Sequence, residues 1–334
     1  MTNPDTSWFN GFRSLQVQHD GQSLQVRAGG SDCGNGLLPL LLLHGHPQTQ
    51  AMWHMVAPAL AQSRSVVLMD LRGYGDSSRP TPTADHAAHS KRAMAADAVA
   101  VMRALGHSHF DILAHDRGAR VAHRLALDHP QAVRRLLLLD IAPTLAMYEG
   151  TTREFALAYW HWFFLVQPAP LPERLIEADP VAYLLDLMGR RHAGLQGFDA
   201  RAWAEYERCI ALPGTAQAMC EDYRAAASID LDHDRADRAA DHRIHAPLRV
   251  LWGAKGVVAR CFDVLALWQQ AAANVSGQAL PCGHYIAEEV PQALLADALA
   301  FFGSPDEPEE PDEPETIRPD RSASTALQPS PTMK

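Results

Sequence analysis

The hydrophobic pattern falls into three stretches. From residue 1 to about 142, short apolar runs alternate with Ala-rich segments of helical spacing. Leu24–Ala28 fits an early strand. Leu37–Leu43 is continuously apolar and ends in His-Gly, as expected of a strand buried on both faces. Ser65–Asp70 fits a further strand and runs into the turn-rich Leu71-Arg72-Gly73-Tyr74-Gly75-Asp76-Ser77. Lys91–Leu105 predicts a helix, Phe110–Ala114 a strand, Arg117–Asp128 a helix closed by His129-Pro130, and Arg134–Leu139 a strand ending at Asp140. Such alternation predicts a parallel sheet with crossover helices.

From Pro143 to about Arg243 the pattern changes to Trp, Tyr, Leu and Ala at helical spacing, with few strand-like runs. The first pattern then resumes: Leu248–Trp252 as a strand, Cys261–Ala273 as a helix, Val275–Leu280 as a strand and Pro291–Phe302 as a helix. The economical reading is an α/β core, 1–142 plus 244–303, with an inserted helical lid at 143–243. Residues 304–334 hold seven prolines and acidic runs, a composition that predicts disorder.

Charge and cysteine usage narrow the function classes. The net charge is −10, half of it in the last 31 residues, so the body lacks the basic footprint of a nucleic-acid binder. No apolar run is long enough to span a bilayer, and the first 25 residues lack a basic start followed by an apolar run. Five scattered cysteines without a CxxC spacing fit free thiols in the cytoplasm. The seventeen histidines form no HExxH or similar pattern, so no metal or organic cofactor is expected.

The sharpest local feature is Phe110-Asp111-Ile112-Leu113-Ala114-His115-Asp116-Arg117-Gly118-Ala119-Arg120, a strand, a sharp turn and a helix. It is similar to the nucleophile elbow of serine hydrolases with aspartate in the central place. Alone, it fits equally well a turn in which Asp116 caps the helix. Three distant features favour the elbow. Asp140 lies at the carboxyl end of a strand, where α/β sites are built, whereas Leu248–Trp252 is followed by no carboxylate. His284 follows the last strand in Cys282-Gly283-His284-Tyr285. Gly45 and His46 follow the first long strand, where an oxyanion loop belongs. The order 116, 140, 284 is that of nucleophile, acid and base in this class.

An aspartate nucleophile restricts the chemistry. Carboxylate attack on saturated carbon gives an ester, which water activated by histidine can cleave; serine would leave an inert ether. The substrate then carries a halide or an epoxide oxygen on sp³ carbon. Arg117 and Arg120 share a face in the first helical turn. They either form ion pairs with acids or clamp a substrate carboxylate, which would point to a haloacid.

With those residues in view, the chain resembles the fluoroacetate dehalogenases, a haloacetate-hydrolysing branch of the α/β-hydrolases. The likeness runs from about Leu40 to Phe302 and rests on several motifs: His44-Gly45-His46-Pro47-Gln48-Thr49, Arg72–Ser77, His115–Arg120, Asp140–Thr144, Tyr159-Trp160-His161-Trp162-Phe163-Phe164, Glu221–Ala225 and Gly283-His284. The resemblance implies an α/β-hydrolase fold, with a mostly parallel sheet flanked by helices. It implies Asp116 as nucleophile, Asp140 as orienting acid, His284 as base, Arg117 and Arg120 on the substrate carboxylate, and His161, Trp162 and Tyr223 around the halide. It also implies a homodimer acting on a small molecule, haloacetate, to give glycolate and halide. Without it, His161-Trp162 fits aromatic packing. There are departures. His46 stands where relatives usually have an apolar aromatic, and Leu187-Met188-Gly189-Arg190-Arg191 lacks a tryptophan that fluoroacetate-preferring relatives carry near there. The rival readings are an epoxide hydrolase, which usually has Trp after the nucleophile and two lid tyrosines, and a non-catalytic ligand receptor on the same fold.

Overall fold

The computed structural model describes residues 6–303, except Cys33 and His192. The expected acidic tail, 304–334, lies outside the described residues. Eight strands form one sheet: β1 (Arg13–His19), β2 (Gln22–Gly29), β3 (Leu40–Leu43), β4 (Val66–Met69), β5 (Phe110–His115), β6 (Val133–Leu139), β7 (Leu248–Gly253) and β8 (Val275–Leu280). Their order is β1-β2-β4-β3-β5-β6-β7-β8. β1 and β2 join antiparallel at one edge, and all pairs from β4 to β8 are parallel.

The apolar runs become the middle of this sheet because helices cover both of its faces. Leu40, Leu41, Leu42 and Leu43 are fully buried, which contributes about 1.5–3 kcal/mol per side chain relative to exposure. The flanking helices follow local signals. Ser90 caps Lys91–Ala104 by accepting the Ala93 N–H at 3.2 Å.

Two elements depart from the sequence reading. β1 was not expected: only Val17 of its seven residues is buried, so it carries almost no hydrophobic alternation. The expected helix Cys261–Ala273 is two helices, Val257–Cys261 and Val264–Ala271, because Asp263 starts a new one by capping the Ala266 N–H.

Between β6 and β7 the chain is helical, from Thr144–Glu149 to Ile229–Ala239, with no strand among the described residues. Among those residues no helix is long and apolar enough to cross a membrane.

The register decides where the site lies. Leu43 pairs with Met69 and Ala114, His115 with Leu139, and Leu139 with Leu251. The carboxyl ends of β3, β5, β6 and β7 are therefore almost level. The loops after β3, β5, β6 and β8 carry His46, Asp116, Asp140 and His284.

Candidate active site

The turn after β5 is held in a backbone conformation that few side chains adopt. Asp116 has φ +45° and is the first residue of the helix Asp116–Asp128. Its carboxylate does not cap that helix; Oδ1 instead accepts the backbone N–H of His46 at 2.9 Å. Two glycines permit this. A Cβ on Gly118 would lie 2.4 Å from the His44 carbonyl oxygen, and one on Gly45 would lie 2.5 Å from Asp116 Cβ. Strain of this kind costs about 1–3 kcal/mol and concentrates at functional sites.

Asp116, Asp140 and His284 come together. His284 Nδ1 is 2.5 Å from Asp140 Oδ2, and its Nε2 is 4.0 Å from Asp116 Oδ2. Asp140 Oδ1 accepts the Gly253 N–H at 2.9 Å, which fixes the acid against the end of β7. All three side chains are buried. Burial by itself would raise the Asp116 carboxyl. The electrostatic influence of the neighbouring His284, His115, Arg120 and Arg117 side chains outweighs it and holds the group well below the usual carboxylate range.

Both arginines are buried beside Asp116, and neither is hydrogen-bonded to it. Arg117 pairs with Asp222: Nε to Oδ2 at 2.9 Å and Nη2 to Oδ1 at 2.6 Å, with Nη2 also 2.9 Å from the Asp222 carbonyl oxygen. The ion-pair reading of Arg117 is therefore correct for two of its nitrogens. Its Nη1 has no partner, and its guanidinium carbon lies 4.2 Å from the Tyr223 ring centroid. Arg120 donates from Nη1 to the Ala142 carbonyl at 3.1 Å and to Thr144 Oγ1 at 2.8 Å. Its Nε has no partner, and its guanidinium carbon lies 4.8 Å from the Trp162 ring centroid.

The three aromatic residues from the helical insertion meet at the same place. The His161 and Tyr223 rings are 5.8 Å apart, and the Trp162 and Tyr223 rings 6.3 Å. Trp162 also packs in an aromatic cluster with Tyr148 and Phe155, as the packing reading expects. Yet Trp162 Nε1, Tyr223 Oη and His161 Nδ1 are buried without partners. Burial raises the Tyr223 hydroxyl far above its ordinary value, so it remains a donor. Burial, reinforced by Arg191, pushes His161 well down, so it is neutral.

His46 fills the space of the expected aromatic. Its ring centroid is 5.0 Å from that of Tyr223 and 6.0 Å from that of His161. Burial pushes its pKa down to about 3. Tyr74 Oη donates to Asp222 Oδ2 at 2.7 Å, so at 3.3 Å it can only accept from His46 Nδ1. His46 Nε2 is then left to accept from Tyr183 Oη, at 3.4 Å.

Sequence reasoning missed four residues. Asp222 orients Arg117 and also binds Lys91, whose ammonium is in turn 4.0 Å from Asp230. Tyr74 links Asp222 to His46. Glu289 accepts the Gly283 N–H at 2.7 Å and the Tyr285 N–H at 3.0 Å, so one carboxylate grips the backbone on both sides of His284. Arg191 lies over Tyr159, with its guanidinium carbon 4.8 Å from the ring centroid. Asp222, Tyr74 and Arg191 lie in stretches already singled out, Glu221–Ala225, Arg72–Ser77 and Leu187–Arg191, but no role was read for any of them.

An aspartate on a strained turn, paired through histidine with a second aspartate at the rim of a parallel sheet, defines an α/β hydrolase with a carboxylate at the nucleophile position. The chain belongs to the alpha/beta hydrolase fold family, whose model matches residues 39–291. It is 42% identical over 284 residues to a fluoroacetate dehalogenase of Burkholderia sp., which covers 85% of this chain and 91% of that one. It is 34% identical over 268 residues to a soluble epoxide hydrolase of Corynebacterium sp. (strain C12), covering 79% of this chain and 90% of that one. A crystal structure from Nostoc sp. PCC 7120, solved as an alpha/beta hydrolase, shares 50% identity with a TM-score of 0.83, covering 88% of this chain and 98% of that one.

Proposed function

We propose that the chain hydrolyses a short 2-haloacid, haloacetate to glycolate and halide, through an ester on Asp116. The observation that carries this reading is the set of buried donors without acceptors around one anionic carboxylate. Arg117 Nη1 and Arg120 Nε suit a carboxylate, and Trp162 Nε1 and Tyr223 Oη suit a departing halide.

In the first step an Asp116 carboxylate oxygen attacks C2, and the carbon–halogen bond breaks with its electron pair on the halide. Donors aimed at that developing charge lower the barrier. Arg117 and Arg120 hold the substrate carboxylate so that C2 faces the nucleophile. In the second step His284 Nε2 takes a proton from water, and the hydroxide attacks Cγ of Asp116. The His46 N–H, already on Oδ1, stabilises the oxyanion. Collapse expels the glycolate alkoxide, which takes the proton from His284, and Asp116, left as the acid, releases its own proton to solvent, so that haloacetate and water give glycolate, halide and one proton. Asp140 holds the imidazole in the required orientation.

The 4.0 Å gap between Asp116 and His284 suits this division of labour, since histidine acts on water and not on the nucleophile. The triad roles of Asp116, Asp140 and His284 are part of the proposal. So is a cytoplasmic homodimer: the free thiols of Cys209, Cys220, Cys261 and Cys282 fit a reducing compartment, and exposed Leu157, Leu171 and Leu175 offer apolar surface for a second copy.

Halide release from fluoro-, chloro- and bromoacetate, measured beside styrene oxide turnover, tests the reading. Chloroacetate turnover with glycolate formed in equal amount is expected. Diol from styrene oxide without halide release would establish an epoxide hydrolase, and ligand binding without either product a receptor.

A further inference from the structure

Arg191 belongs to none of the roles assigned above. It follows a π-helical turn, Leu185–Gly189, a rare backbone form that occurs mostly at functional sites. Its Nε reaches back to the Leu187 carbonyl at 3.3 Å. Its guanidinium carbon is 4.8 Å from the ring centroid of Tyr159 and 5.9 Å from that of Tyr285. Those two rings lie 6.3 and 5.0 Å from the His284 ring, so one aromatic ring links the cation to the proposed base.

Three observations separate it from a structural arginine. Among the described residues it forms no ion pair, whereas Arg117 is neutralised by Asp222. It is half-buried, while Asp116, Arg117, Arg120, His161, Trp162 and Tyr223 are all buried. Its charge is felt inside the site: it helps to push down His46 and His161, and Asp116 in turn favours it. Arg191 is thus a partly exposed cation within electrostatic reach of the nucleophile, where Arg117 and Arg120 are buried.

We infer that Arg191 is an anion subsite at the mouth of the site, taking the carboxylate of an incoming short monocarboxylate before Arg117 and Arg120 receive it. This rests on the haloacid reading above. The need is physical. The substrate is an anion approaching a chain of net charge −10, and it must come to rest against the Asp116 carboxylate. The charge of Arg191 offsets that repulsion about equally before and during bond breaking. It is therefore uniform binding, visible in KM more than in kcat.

The test uses Arg191→Gln and Arg191→Lys, with glycolate formation from chloroacetate followed at ionic strengths set with sodium sulfate. Arg191→Gln is expected to raise KM about tenfold while kcat moves less than about threefold, and to flatten the fall of kcat/KM with salt. Arg191→Lys keeps the charge and is expected to restore KM to within about threefold of wild type with its salt dependence intact. Chloroacetamide, which is neutral, should show little change in either variant. An unchanged KM, a loss confined to kcat, or equal losses for acid and amide would overturn the inference. Should Arg191→Gln not fold, Arg191→Met, which keeps the apolar stem and removes the charge, takes the same test with the same expected and overturning results. If wild type releases no halide from any haloacetate, the reaction assignment fails separately. Calorimetric binding of glycolate to wild type and Arg191→Gln then still decides the subsite, with about tenfold weaker binding to the variant expected and equal binding overturning it.

Discussion

Asp222 holds Arg117 by two of its three guanidinium nitrogens and leaves Nη1 bare, at the place where a substrate carboxylate would lie. Arg120, three residues on, has no carboxylate partner and is held by neutral oxygens of Ala142 and Thr144. In the proposed reaction the two arginines share one role, on different supports.

That difference predicts a split between activity and stability. Arg117→Gln and Arg120→Gln should each lower kcat/KM for chloroacetate by about 10- to 100-fold, since each loses charge-assisted contacts to the substrate. Arg117→Gln should in addition cost stability, about 1.5–3 kcal/mol for each charge-assisted hydrogen bond that buried Asp222 loses, Lys91 remaining as its charge partner. Arg120→Gln leaves no acid uncompensated and should cost clearly less. Urea unfolding beside steady-state kinetics checks both; equal losses of stability would contradict the account.

His284→Asn should separate the two chemical steps. Asp116 is held ionised by its surroundings and needs no proton removed before attack. The variant should therefore form the ester and stall. Intact mass after chloroacetate should rise by one carboxymethyl group, located on the Asp116 peptide. Sustained turnover would mean that another group activates the water.

Tyr223→Phe should discriminate between halides. Fluoride is small, basic and strongly hydrated, so its departure depends most on close donors. Removing the unpartnered hydroxyl while keeping the ring under Arg117 should lower fluoroacetate turnover about 100-fold or more, with a much smaller loss for bromoacetate. Equal losses would show that Tyr223 only shapes the pocket.

Glu288 should give the protein a pH-dependent stability. Burial pushes its carboxyl from 4.5 up to about 8, while it accepts from Tyr206 Oη at 2.9 Å and lies against Gln48. The folded chain thus keeps a proton that the unfolded chain loses above about pH 4.5. Stability is fully present below that value and is lost as pH rises toward 8, by about 1.4 kcal/mol per pH unit. Glu288→Gln removes this term, so its advantage over wild type should grow between pH 5 and 8 and then level off. Urea midpoints across that range measure it, and a constant difference would refute it.

The parts of this architecture that sequence shows are those with a strong local signal. Continuous apolar runs marked β3 and β6, because strands covered on both faces need no polar alternation. The elbow was legible because a strand, a small residue, an acid and a glycine follow one another within a few positions. β1 carried no such signal, since an edge strand with one buried residue looks like a loop. The partner of Arg117 is 105 residues away, and nothing local to either residue marks the pair. Glu289 was invisible for a different reason: it acts on backbone N–H groups, which every residue possesses. Arg191 stood in a stretch noted only for a missing tryptophan; what it does depends on two rings brought from Tyr159 and Tyr285.

The helical insertion leaves the sheet after β6 and returns at β7, and Leu139 and Leu251 on those strands pair directly. It leaves at the carboxyl end of β6 and returns at the amino end of β7, so it joins two neighbouring parallel strands and, among the described residues, adds no strand between them. The residues proposed to make and break the ester, Asp116, Asp140 and His284, lie in turns after β5, β6 and β8, and the groups proposed to receive the halide, His161, Trp162 and Tyr223, all lie within the helical insertion. A transplant of residues 143–243 from a relative would exchange the leaving-group environment while Asp116, Asp140 and His284 keep their supports. Selectivity and ester chemistry in this protein can therefore diverge at different rates.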